Sequence, residues 1–328
     1  MRRAVFAVVL LGSGCGRFDF TERARDASVD ADTEPDASCV TGACPVITLA
    51  TGQQAPYGIT VDESFAYWVN YMTGAIMKCP LTGCNGAVAP TQLALGEPNS
   101  FFLAVDTDNV YFTINGSDKV DSCPLTGCTG GPTLLAMPMA PTFIVLDASS
   151  MYTTTNTGDV ERIPKPGSSF ATLISGESNP GGIAIDATRI YWTETVAGTG
   201  AVRACSLPSC TSVVTLVGNQ DQPSAIAVDA TGVYWTTTTA VWGAALDGSN
   251  AHVLAANEQP SCCGIAVRDG DVYWTDDLDP GRVLKLAKSG GSPIELATDQ
   301  HNAATVTVDA TYAYWTTRGD GTVKKTQR

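Results

Sequence analysis

The chain has 328 residues, 44% of them hydrophobic and 16% charged, with a net charge of −14. That balance suits a folded chain and excludes wholesale disorder, and it leaves no basic stripe to neutralise phosphates, so nucleic acid is not an expected partner. The length alone would allow two domains, but repeats fill nearly everything after residue 45, and a single domain is expected there.

At the N-terminus, Arg2-Arg3 precede an apolar run, Ala4 to Leu11, that is far shorter than a bilayer span and reads as a secretion signal. The small residues Gly12-Ser13-Gly14 directly before Cys15 resemble a bacterial lipobox. That resemblance implies a lipid on Cys15, which holds an exported protein to a membrane, facing the periplasm or the cell surface. The competing reading is plain secretion with an unpaired Cys15. Residues 16–38 carry seven acids and three arginines with few large apolar groups, so they are expected to form a flexible, self-repelling tether. Fully extended, such a segment reaches ~75 to 80 Å. An acidic tail for a basic partner is the alternative.

From residue 39 onward one pattern recurs. GITVDESFAYWV from Gly58, FLAVDTDNVYFT from Phe102, FIVLDASSMYTT from Phe143, GIAIDATRIYWT from Gly182, AIAVDATGVYWT from Ala225, GIAVRDGDVYWT from Gly264 and TVTVDATYAYWT from Thr305 start 39 to 44 residues apart. Each copy alternates branched and small residues, breaks at Asp or Arg into a turn, and resumes with aromatic and β-branched residues. This is a hairpin. A period near 40 made of short strands predicts an all-β chain folded as a seven-bladed β-propeller spanning 39–328. The recurring Asp62, Asp106, Asp147, Asp186, Asp229 and Asp309 are expected to hold their own turns rather than ligands.

The pairs Tyr67-Trp68, Tyr111-Phe112, Tyr191-Trp192, Tyr234-Trp235, Tyr273-Trp274 and Tyr314-Trp315 resemble the YWTD repeats of lipoprotein-receptor propellers. Ala245-Leu246-Asp247-Gly248-Ser249 is similar to the LDG turn of that family, and Tyr273-Trp274-Thr275-Asp276 is a full YWTD. The resemblance implies the architecture and no particular ligand.

Third strands follow, as in GAIMKC from Gly74 and GTVKKT from Gly321, and fourth strands, as in TQLALG and VVTLVG. The seventh repeat ends after its third strand, whereas Val46 to Ala50 looks like a fourth strand with no blade before it. The N-terminal strand is therefore expected to complete the last blade and remove an exposed edge. Cys39-Cys44, Cys79-Cys84, Cys123-Cys128 and Cys205-Cys210 are four C-x4-C pairs. Zinc sites favour two intervening residues and convergent pairs, so disulfides across short turns are expected, with Cys262-Cys263 a candidate vicinal bridge.

This topology gathers the loops entering each first strand on the rim opposite the C-x4-C turns. Those loops are rich in amides and acids, and Gln54, Asn99, Asn179, Gln220, Gln222, Gln259 and Asn302 are the candidate ligand residues. Two functional classes follow. One is a monomeric binding module for a protein or glycan, without catalytic residues or an obligate cofactor. The other is a lyase or hydrolase using His301 with Glu177 or Glu258, although no triad or H-x-x-x-H motif announces it. Asp276, Asp277 and Asp279 make an oxygen-rich loop that could hold calcium, but with a spacing unlike known calcium loops.

Overall fold

The computed structural model describes residues 13–14 and 44–328 apart from 85–87, 166, 168 and 277, with the backbone alone at 13–14 and 261–263. Of the seven antiparallel sheets, six run through four strands in chain order, one of them with a further short strand at its edge, and the seventh takes its fourth strand from the N-terminal part of the chain. Blade 1, for example, runs through Pro56–Val61, Phe65–Asn70, Ala75–Pro80 and Thr91–Leu95. Blades 2 to 6 span 100–136, 141–174, 180–220, 226–256 and 260–300. The first strands of successive blades contact one another around the whole circuit, and blade 7 returns to blade 1. These strands therefore line the axis.

Blade 7 consists of Ala303–Val308, Tyr312–Thr317 and Thr322–Gln327, and its outermost strand is Ile47–Ala50. Ile47 lies opposite Lys325, and Ala50 opposite Val323. The ring is thus closed by the N-terminal strand, as the unmatched third strand at the C-terminus predicts. A two-residue strand, Ser13–Gly14, pairs with Ala266 and Val267 on the axis-facing edge of blade 6.

Each residue of the repeated Tyr-Trp-Thr run has a separate physical task. The turn Asp accepts two backbone N–H groups with one oxygen and the hydroxyl of the Tyr five residues on with the other. In blade 4, Asp186 Oδ1 accepts from Thr188 and Arg189, and Oδ2 accepts from Tyr191 at 2.7 Å. The same set recurs at Asp62, Asp106, Asp147 and Asp309. The Asp is a turn brace, as its position suggests. Burial, and then the neighbouring carboxylate, push the Tyr152 phenol up to about 12. Where blade 6 has Arg268 in place of Asp, Arg328 from blade 7 reaches the Tyr273 hydroxyl instead, at 3.2 Å.

The Thr latches one blade to the next. Thr113, Thr154, Thr193 and Thr275 donate to the carbonyls of Thr142, Gly181, Ser224 and Ala304 in the following first strand. Thr316 of blade 7 donates to Tyr57 of blade 1 at 2.6 Å, so the latch crosses the closure. Small residues make that approach possible, since a Cβ added to Gly182 would lie 2.5 Å from the Ser224 carbonyl. Between blades the core is aromatic: Trp68, Trp192, Trp235, Trp274 and Trp315 are all fully buried.

Three of the expected disulfides are present, Cys79–Cys84, Cys123–Cys128 and Cys205–Cys210, with Cα separations of 5.8, 5.5 and 5.0 Å. They lie inside the ordinary range for a disulfide. The first two turns also reach the preceding blade, because Cys84 N–H donates to Leu49 and Cys128 N–H to Leu93. Cys44 is disulfide-bonded too. Its expected partner Cys39 lies outside the described residues, as do Cys15, the tether at 16–38 and the Cys262-Cys263 side chains. Oxidised pairs of this kind mark an extracytoplasmic protein.

Candidate ligand-binding rim

The loops that enter the first strands carry two rings of polar residues at different depths. The deeper ring lies three residues before the strand in most blades and is consumed by the fold. Gln53, Gln220 and Gln300 accept the indole N–H of Trp68, Trp235 and Trp315, each at 3.0 Å, and Glu177 accepts that of Trp192 at 2.8 Å. Acceptor and indole are 15 residues apart in all four. A buried indole N–H needs such a partner, and the loop supplies it.

Blades 2 and 6 depart from this pattern. Blade 2 has Phe112 where the indole would be, and Glu97 at the equivalent loop position pairs with Lys119 instead. In blade 6 the first strand carries extra residues, with Pro260 and Ile265 opposite Asp276 and Trp274, where blade 1 needs only Pro56 and Ile59 opposite Asn70 and Trp68. Glu258 there pairs with Arg282 at 3.0 Å, and Trp274 Nε1 is buried without a hydrogen-bond partner.

Gln220 therefore leaves the candidate ligand set. It is 6% exposed, with its carbonyl on Trp235 and its amide on the Gly218 carbonyl. Glu177 is likewise committed to Trp192 and Arg203, and burial raises its carboxyl above the ordinary range. The sequence reading missed this ring because it weighed amides by type. The constant 15-residue offset from Trp was the available signal.

The second ring lies at Ala55, Asn99, Ala140, Asn179, Gln222, Gln259 and Asn302, directly before the first strand in every blade but the fifth, where that strand starts at Ile226. Five of the seven are amides, and all five belong to the expected set. All except Gln259 have a left-handed backbone, with φ between 50° and 68°. That conformation turns the chain inward while the carbonyl extends the first hairpin, as where Asn179 accepts from Thr195 N–H at 3.0 Å. Asn tolerates it better than most residues. Asn99, Asn179, Gln222 and Gln259 are exposed, as is Gln54, and Asn302 is half-buried.

His301 stands on this rim, 53% exposed, with Nδ1 2.6 Å from Asp279 Oδ1. The carboxylate beside it is thus Asp279, whereas Glu177 and Glu258 are held by arginines. Asp276 is fully buried and pairs with Arg282 at 2.7 Å, so it and Asp279 are committed to different partners. Asp277 lies outside the described residues. Among the described residues no three of His, Cys, Asp or Glu gather into a set that could hold a metal ion. Two buried acids lie deeper between blades, Asp121, pushed up to about 6 by burial, and Glu161, raised by the same cause; each keeps one oxygen without a partner.

No protein-family model and no curated protein sequence matches the chain. Solved structures do match in fold. A virginiamycin B lyase from Staphylococcus aureus superposes with a TM-score of 0.70 at 15% identity, over 87% of this chain and 98% of the other. Nidogen from a nidogen/laminin complex gives 0.56 at 21% identity, over 72% and 91%. A gluconolactonase from Xanthomonas campestris gives 0.57 at 14%, over 87% and 90%. The chain is a seven-bladed propeller of the architecture that lyases, lactonases and YWTD binding domains share. At these identities the likeness reaches the fold and no further.

Proposed function

We propose that the protein is an exported, lipid-anchored module whose propeller binds a neutral polar ligand at the mouth of its channel. The observation that carries this reading is the second ring, five amides at one symmetric position, four of them exposed and outside the hydrogen bonding that holds the buried indoles. Amides donate and accept without charge, which suits a neutral partner, and the acidic balance of the chain disfavours anions. Nidogen, in complex with laminin, is a fold neighbour that binds another protein. The lipobox-like run at Cys15 and the acidic stretch after it support a tethered location, in keeping with the disulfides. Metabolic labelling with palmitate should mark the wild-type protein and not Cys15→Ser; equal labelling would exclude the anchor.

One observation favours a second reading as an enzyme, the His301–Asp279 pair. In the virginiamycin B lyase a histidine-to-alanine variant is catalytically inactive. A single experiment separates the two readings. Asn179, Gln222 and Gln259 are replaced together by alanine, which Ala55 and Ala140 show to be tolerated at this position, and the protein is compared with His301→Ala. Retention of envelope extract components, quantified by mass spectrometry, should fall about tenfold or more in the triple variant, because polar groups of the ligand lose their partners. It should be unchanged in His301→Ala. If the folded wild type instead turns over quinupristin or a gluconolactone and His301→Ala does not, the enzyme reading replaces the binding one.

A further inference from the structure

The mouth is not symmetric. Two and three residues after the rim position, blades 4 and 5 carry Gly181-Gly182 and Ser224-Ala225, whereas blades 1 and 2 carry Tyr57-Gly58 and Phe101-Phe102, and blade 3 adds Phe143. The repeat thus accepts small residues here, so nothing in the fold demands aromatic ones. Tyr57 packs edge-on against Phe101 and Phe102 with centroids 5.6 and 5.7 Å away, and Phe102 stacks on Phe143 at 4.0 Å. Tyr71, the first residue after the second strand of blade 1, lies 5.0 Å from Phe101. Tyr57, Phe102 and Phe143 are buried, but Tyr71 and Phe101 are only half-buried, at the top of the cluster.

Two exposed amides are tied to this pair through the backbone. Asn99 N–H donates to the Tyr71 carbonyl, and the Gln54 carbonyl accepts from Met72, itself 64% exposed. The Arg318 guanidinium lies 5.4 Å from the Tyr57 ring centre. Arg318 thus covers Tyr57 and leaves Tyr71 and Phe101 as the accessible rings.

Resting on the rim reading above, we infer that the Tyr71–Phe101 pair at the blade 1–2 side of the mouth is a stacking platform for a neutral sugar ring of a glycan, with Gln54 and Asn99 as its hydrogen-bonding border. A pyranose has an apolar face of C–H groups and a rim of hydroxyls. It needs aromatic surface below and neutral donors and acceptors at its edge, and both are present here. A charged sugar acid would meet an acidic protein and is disfavoured.

The test uses the disulfide-intact protein titrated with maltotetraose, cellotetraose, chitotetraose and mannotetraose, followed by the ring-proton NMR signals of Tyr71 and Phe101. At least one should bind, and Tyr71→Leu and Phe101→Leu should each weaken it by about tenfold. Leucine keeps the apolar volume, and an unchanged melting curve verifies that the variants fold. Val214→Ser, at an exposed position on the outermost strand of blade 4, should change binding by less than about twofold. If none of the four binds, or binding responds to Gln222→Ala and ignores both leucines, the platform is wrong while the rim reading stands. Binding that ignores every rim variant sinks both.

Discussion

Deleting residues 46–50 should leave a protein that no longer unfolds as one cooperative monomer and that elutes as oligomers. Leu49 is fully buried against blades 7 and 1, and its carbonyl accepts from Cys84 N–H at 2.7 Å. Without this strand Thr322–Gln327 becomes a naked edge, a template for pairing with another chain. The milder Leu49→Ala removes only side-chain packing and should cost about 2 to 5 kcal/mol in urea unfolding. A full-length Leu49→Ala protein as stable as wild type would show that the ring does not depend on this strand.

The second large effect is expected at Asp309. Its carboxylate accepts from the backbone N–H groups of Thr311 and Tyr312 and from the hydroxyl of Tyr314 at 2.6 Å, and the Tyr314 side chain is completely buried. Asp309→Ala removes the acceptor of all three donors and should cost about 2 kcal/mol, most of it through the Tyr314 hydroxyl, because a buried donor left unpaired keeps its desolvation penalty while the exposed Thr311 N–H can turn to water. Asp309→Asn preserves the shape and one acceptor, so it should cost about 1 kcal/mol. The Tyr314 phenol should also titrate closer to its ordinary range in Asp309→Ala, since burial and then the Asp309 carboxylate hold it far above that range. Equal losses for the alanine and asparagine variants would mean that the charge, and not the geometry, sets the stability.

The same residues explain what could be read in the sequence and what could not. The blade count, the strand order and the closure were legible because seven copies expose the period, and because alternation, turn residues and an unmatched third strand are local signals. The turn role of the Asp was legible for the same reason, its partners lying two, three and five residues away. The rim was only half legible. Gln220 and Gln222 are neighbours of the same type, yet one points into the seam to cap Trp235 and the other ends in solvent. Nothing in their composition distinguishes them, and only the offset to a Trp in the next hairpin does. The aromatic platform was hidden for a related reason: Tyr71 and Phe101 belong to different blades, 30 positions apart, and meet only when the ring is built. The partner of His301 was equally hidden, since Asp279 arrives from a different loop.

A buried ring of indole caps underlies an exposed ring of amides at the mouth, and thermal melting of Gln220→Ala beside Gln222→Ala tests this division most directly. Gln220→Ala leaves Trp235 Nε1 unpaired in a buried site and should lower the Tm by about 2 to 6 °C. Gln220→Glu should not recover that loss, because the Glu177 that serves Trp192 is paired with Arg203, whereas Trp242 stands opposite Trp235 where Arg203 stands opposite Trp192. Gln222→Ala should leave the Tm within about 1 °C of wild type, as surface changes away from such contacts usually do. Equal shifts for the two alanine variants, or a larger one at Gln222, would contradict the division of the rim into a structural ring and a free one.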